Sequence, residues 1–127
     1  LQLAQLINDR RRAAGLAPLT LDATLTAIAQ QRSDDMARRG YFAHVSPEGQ
    51  TAFDLIAATG LPWRYAGETL QRNNYPLAQT AAEAARSLFA SPAHRDILLD
   101  PRFTHFGVAE ATASDGMHYY TVVLIQQ

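Results

Sequence analysis

A chain of 127 residues is long enough for one domain with a single sizeable core and too short for two. Its 47% apolar and 18% charged residues mark a folded globule, not a disordered or fibrous chain. A formal net charge of −1 supplies no basic field for nucleic acid, and the absence of Cys excludes a disulfide scaffold, a zinc ribbon and a thiol nucleophile.

In chain order, Leu3, Leu6, Ile7 and Ala14 recur at helical spacing and predict a first helix over residues 2–14. Gly15 fits its C-cap, and Pro18 keeps the helix from resuming. A second helix is expected over residues 22–39. Asp22 is its N-cap, Leu25, Ile28, Ala29 and Met36 form its buried face, and Gly40 closes it. Asp34 and Arg38, and Asp35 and Arg39, are spaced for i, i+4 ion pairs on exposed faces. Residues 43–50 are turn chemistry. Thr51 is placed to cap a short helix through Ala58, which Gly60-Leu61-Pro62 ends. The apolar-rich stretch from Trp63 to Leu70 reads as a short strand or extended segment.

An Ala-rich helix follows over residues 77–90, with Leu77, Ala81, Ala84, Ala85 and Leu88 on one face and Glu83 turned to solvent. Ser91 and Pro92 restart a helix in the favoured order, and it ends before Asp100-Pro101. The last quarter changes to alternation, predicting strands 105–113 and 117–125 around a turn at Ser114–Gly116. Helices followed by an antiparallel pair argue an α+β fold. No apolar run reaches the roughly 18 residues that a membrane-spanning helix requires. No leader peptide is legible, and a chain opening on Leu1 reads as a trimmed or mature fragment.

No G-x-S-x-G elbow, phosphate-binding glycine loop or H-E-x-x-H pattern is present. Four histidines and a few acids remain. His44 lies in the turn-rich loop behind Tyr41-Phe42. His94 falls in the first turn of the Ser91-Pro92 helix, where the macrodipole disfavours imidazolium and leaves the ring free to ligate. Glu68 interrupts an apolar stretch, so its carboxylate needs a partner: a metal, a histidine or backbone N–H groups. His105 and His118 read as partly wetted strand-end residues. Tyr119-Tyr120 and Val122 to Ile125 read as sheet core.

Five segments, in order, resemble the landmarks of bacterial CAP-superfamily (SCP-like) domains: LINDRRRAAGLAPLTLDATL, AQQRSDDMARRGYFAHVSPEGQ, AGETL, SPAHRDILLDPRFTHFGV and YYTVV. The resemblance spans nearly the whole chain and implies a three-layer α-β-α sandwich with a small antiparallel sheet. It also implies a central cleft with two His and two acids that in several members binds a divalent metal such as zinc. Carried over by motif, His44, Glu68 and His94 are the expected metal ligands, with Ser91 falling where the second acid stands elsewhere. This chain departs from the family pattern at Thr69 for Asn, Ala93 for Gly and Leu88 for Trp.

Two imidazoles and one carboxylate form a ligand set that zinc accepts, with water able to complete it. The implied function is a non-enzymatic extracytoplasmic binding domain for a metal and an envelope-derived or lipid-like ligand. The alternative is a metal-dependent hydrolase acting on peptide or envelope polymer. The thin acid–base inventory favours the first.

Overall fold

The computed structural model describes residues 2–127. The terminal alternation pairs as expected. β3 (His105–Thr112) and β4 (His118–Gln126) form an antiparallel hairpin, closed where Gly116 N–H donates to the Ala113 carbonyl. On the other side of β4 lies β2 (Tyr65–Asn73), antiparallel over all its nine residues. The two-residue β1 (Thr20–Leu21) joins β3 in parallel, giving the order β1-β3-β4-β2 with β2 at one edge.

The period-2 pattern of β4 then sorts the helices into layers. Tyr120, Val122 and Leu124 pack with Leu3 and Ile7 of α1 (Gln2–Ala13), Leu88 of α4 (Thr80–Ala90) and Leu98 of α5 (Pro92–Leu98). Val123 and Ile125 face the other way, against Leu25, Ile28 and Ala29 of α2 (Ala23–Arg39) and Ile56 of α3 (Ala52–Thr59). The result is the α+β sandwich of helix, sheet and helix layers that the sequence implied.

Local signals set most helix ends. The Asp22 side chain accepts from Leu25 N–H, and Gly40 closes α2 at φ 71°, a conformation that needs glycine. Thr51 and Asp54 form a reciprocal capping box on α3. Four expectations are corrected. The Ala-rich helix begins at Thr80, not 77, because Asn73 at the end of β2 holds both the Thr80 hydroxyl and its carbonyl. Residues 76–79 therefore form a turn, and Leu77, expected on the buried face, is 80% exposed. Arg38 pairs with Asp35 at i, i+3 while Asp34 takes Gln30, so only the Asp35–Arg39 pair forms as spaced. His118, expected to be partly wetted, is buried. Glu83 keeps to the outer side of α4, where it forms an exposed i, i+3 ion pair with Arg86.

Candidate functional site around Glu68

β2 sets Glu68 opposite Val123, so both side chains point toward the α2 layer. There the carboxylate is 5% exposed, and it meets a residue that pattern reading did not single out. Arg32 of α2 donates from Nε to Glu68 Oε2 at 3.0 Å and from Nη2 to Oε1 at 3.4 Å. Its remaining reach goes to the Tyr41 hydroxyl at 3.2 Å and the Ala43 carbonyl at 2.6 Å. The guanidinium thus fastens the loop after α2 to the middle of β2.

That loop delivers His44. Its Nδ1–H donates to Glu68 Oε1 at 2.7 Å, while the imidazole stands 59% exposed. Behind Arg32 the network continues, with the Tyr41 hydroxyl donating to Asp35 Oδ2 at 2.5 Å. Burial and that bond to Asp35 push the Tyr41 hydroxyl up to about 12. The same bond, with those from Arg38 and Arg39, holds the Asp35 carboxyl below its usual range against the opposing effect of burial.

His94 reaches the site from α5. Its Nδ1 lies 2.9 Å from Ser91 Oγ, one turn back. Burial, and then the charge of His44, lower its pKa from the ordinary 6.5. The neutral imidazole anticipated at this position is therefore favoured, by desolvation and a like charge. The His44 ring is near enough for its charge to oppose protonation of His94. Thr69, next to Glu68 but on the opposite face of β2, is fully buried, and its Oγ1 has no hydrogen-bond partner among the described residues.

The sequence pointed to His44, Glu68, His94 and Ser91. The structure bonds His44 to Glu68, bonds Ser91 to His94 and puts His94 within the field of His44. Arg32 was overlooked although a signal existed. It lies on the stripe Leu25, Ile28, Ala29, Met36, where an Arg needs a buried partner. His105 and His118 make other bonds, His105 to Thr104 and His118 to Glu110.

Glu68 takes bonds from Arg32 and His44 on its two oxygens, which sets the carboxylate behind His44 as the group that orients that ring. Among the described residues no group of three or more His, Cys, Asp or Glu side chains is placed to hold a metal ion. The two imidazoles, each bonded at Nδ1, His44 to Glu68 and His94 to Ser91, are the residues that would hold one. A carboxylate behind a histidine is the usual way to orient such a ligand. The site is open to water. The recess of about 960 Å3 over the outer side of α2 reaches Arg32 and Tyr41 but is not lined by His44, Glu68 or His94.

Comparison with known proteins agrees with this architecture. The pattern of the cysteine-rich secretory protein family, CAP, matches residues 4–125. YkwD of Bacillus subtilis is 35% identical over 107 residues, covering 84% of this chain and 40% of that protein. An extracellular protein of Bacillus anthracis containing an SCP domain superposes with a TM-score of 0.84 at 28% identity, over 99% of this chain and 39% of that one. An outer surface protein of Borrelia burgdorferi shares the fold with a TM-score of 0.87 at 18% identity, covering 98% and 90% of the two chains. The chain thus spans well under half of the Bacillus proteins it matches.

Proposed function

This chain belongs to the CAP family, and we propose that it is a non-enzymatic binding domain of the cell exterior whose two-histidine site takes a divalent metal. The observation that carries the reading is the Arg32–Glu68–His44 chain. A carboxylate held by Arg32 accepts the His44 Nδ1 proton, which leaves Nε2 as the acceptor nitrogen. When His94 donates Nδ1–H to Ser91 Oγ, 2.9 Å away, the second ring offers Nε2 as well. Two neutral imidazoles suit zinc, and as a bound Lewis acid it would polarise an oxygen-bearing ligand. Phe42 and Val45, on either side of His44, keep exposed apolar surface beside the site, which suits a lipid-like or envelope-derived ligand. No helix of the described residues is long and apolar enough to cross a membrane.

Hydrolysis is the less supported reading. Glu68, the nearest acid, is engaged and cannot serve as a free general base. Ser91 and His94 are a hydroxyl and an imidazole in contact, but the lowered pKa of His94 weakens it as a base, and among the described residues no carboxylate orients its ring.

The test is zinc titration calorimetry on protein freed of any affinity tag. Wild type binds zinc at neutral pH, while His44→Ala and His94→Ala each weaken binding at least tenfold, the scale on which ligand loss is felt. Glu68→Gln weakens it less, because the amide keeps the ring oriented. Lowering the pH through the histidine range weakens binding, since a protonated imidazole cannot ligate. Equal affinity in wild type and His94→Ala rejects the site.

A further inference from the structure

On the opposite end of the sheet, His118 opens β4 with both ring nitrogens committed. Nε2 lies 3.0 Å from the Tyr75 carbonyl, and Nδ1 lies 2.6 Å from Glu110 Oε2 and 2.9 Å from Thr112 Oγ1. A carbonyl can only accept, so Nε2 carries a proton. The Thr112 hydroxyl is spent on Glu110 Oε2 at 2.5 Å, so opposite an ionised Glu110, which can only accept, Nδ1 is the group that must donate. The His118 side chain is 8% exposed and that of Glu110 32% exposed. With Glu110 ionised, satisfying all of these bonds at once takes a proton on each ring nitrogen.

We propose that His118 and Glu110 form a proton-dependent clasp that holds the loop of residues 74–79 against the sheet and releases it when the proton leaves. The loop connects β2 to α4. It presents Tyr75 and Leu77 outward, 44% and 80% exposed, and its Pro76 carbonyl receives the N–H groups of Gln79 and Thr80 that start α4. Loss of the Nδ1 proton leaves a nitrogen lone pair facing the Glu110 carboxylate. That repulsion turns the ring away, and the Nε2–H bond to Tyr75 goes with it. A histidine placed only to fill the core would not need donors on both nitrogens.

The ionisable surroundings are few. From β3 comes Glu110, and from β4 itself Tyr120, which feels the Glu110 charge. From α4 come Arg86 and Glu83, paired with each other, Arg86 lying within the field of Tyr75. Asn73 of β2 and Thr80 of α4, bonded to each other, are neutral.

Hydrogen exchange read amide by amide, expressed as protection relative to the unstructured chain, tests the clasp. From about pH 6 to about pH 9, across the histidine range, protection at Tyr75, Gln79 and Thr80 falls about tenfold to a hundredfold in wild type, the scale of a charge-assisted hydrogen bond. In His118→Gln, whose amide can still reach the Tyr75 carbonyl but cannot titrate, it stays level. Glu110→Gln flattens the profile too, because a neutral imidazole can then donate to Tyr75 and accept from the new amide. Nitrogen-15 shifts of His118 report both ring nitrogens protonated at the acid end. A neutral ring there, level wild-type protection, or the same profile in wild type and His118→Gln overturns the proposal.

Discussion

Arg32 sits one turn after Ile28 and one before Met36 on the buried stripe of α2, with 3% of its surface exposed. Burying this charge is costly and is offset only by Glu68, Tyr41 and the Ala43 carbonyl together. Removing one partner strands the other. Arg32→Met should therefore cost about 3–5 kcal/mol of stability, read from the urea midpoint at constant m-value. The double variant Arg32→Met with Glu68→Leu should recover much of that loss, since no buried charge then lacks its partner. A single variant that loses less than about 1 kcal/mol, the worth of an exposed pair, would show that water already screens this ion pair. At this scale the sequence was half legible. That Glu68 needed a partner followed from its apolar neighbours. Which partner it was depended on α2 crossing the sheet opposite β2, and no spacing along the chain encodes that crossing.

Among the elements, the sheet's contact with α2 depends on one missing side chain. A Cβ on Gly107 of β3 would stand 2.1 Å from the Leu25 carbonyl carbon and 2.2 Å from Thr26 N, both backbone atoms of α2. Backbone cannot step aside as a rotamer does. A Cβ on Gly67 of β2 would meet the Phe103 ring edge at 2.9 Å, a side chain with some freedom to shift. Gly107→Ala should thus destabilise by more than about 3 kcal/mol and Gly67→Ala by about 1–3 kcal/mol, compared by thermal unfolding. The reverse order would mean that α2 slides on the sheet more readily than Phe103 repacks. Helix ends set by neighbouring residues, such as Asp22, Thr51 and Gly40, were readable because cap and helix are adjacent in sequence. The start of α4 was not, because Asn73, seven residues before Thr80 and in another element, displaces it.

For the whole molecule, one four-stranded sheet supports both helical layers, and β4, buried along nearly its full length, contributes alternate residues to each. Unfolding one layer would expose the strand that the other depends on. Ile56→Ala beneath α3 and Leu88→Ala beneath α4 should each cost about 2–5 kcal/mol, and each should keep a single transition common to far-ultraviolet circular dichroism and Trp63 fluorescence. Two separated transitions in either variant would show that the layers unfold independently.

The sequence by itself determined the periods, and with them the helical and strand segments, the α+β class and the terminal hairpin. Those properties arise from neighbours within a turn or a pleat, so local order carries them. It also marked Glu68 as a carboxylate in need of a partner and His44 and His94 as candidate ligands, while Ser91 entered through the family resemblance. Only the tertiary structure decided that Arg32 neutralises Glu68, that Ser91 holds His94, and that His118 is buried against Glu110 and the Tyr75 carbonyl. Arg32 and Glu68 are 36 residues apart, and His118 and Tyr75 are 43 apart. Their pairing is fixed by where the sheet order and the crossing of α2 bring distant segments together, and by the cost of leaving a buried charge or donor unmatched.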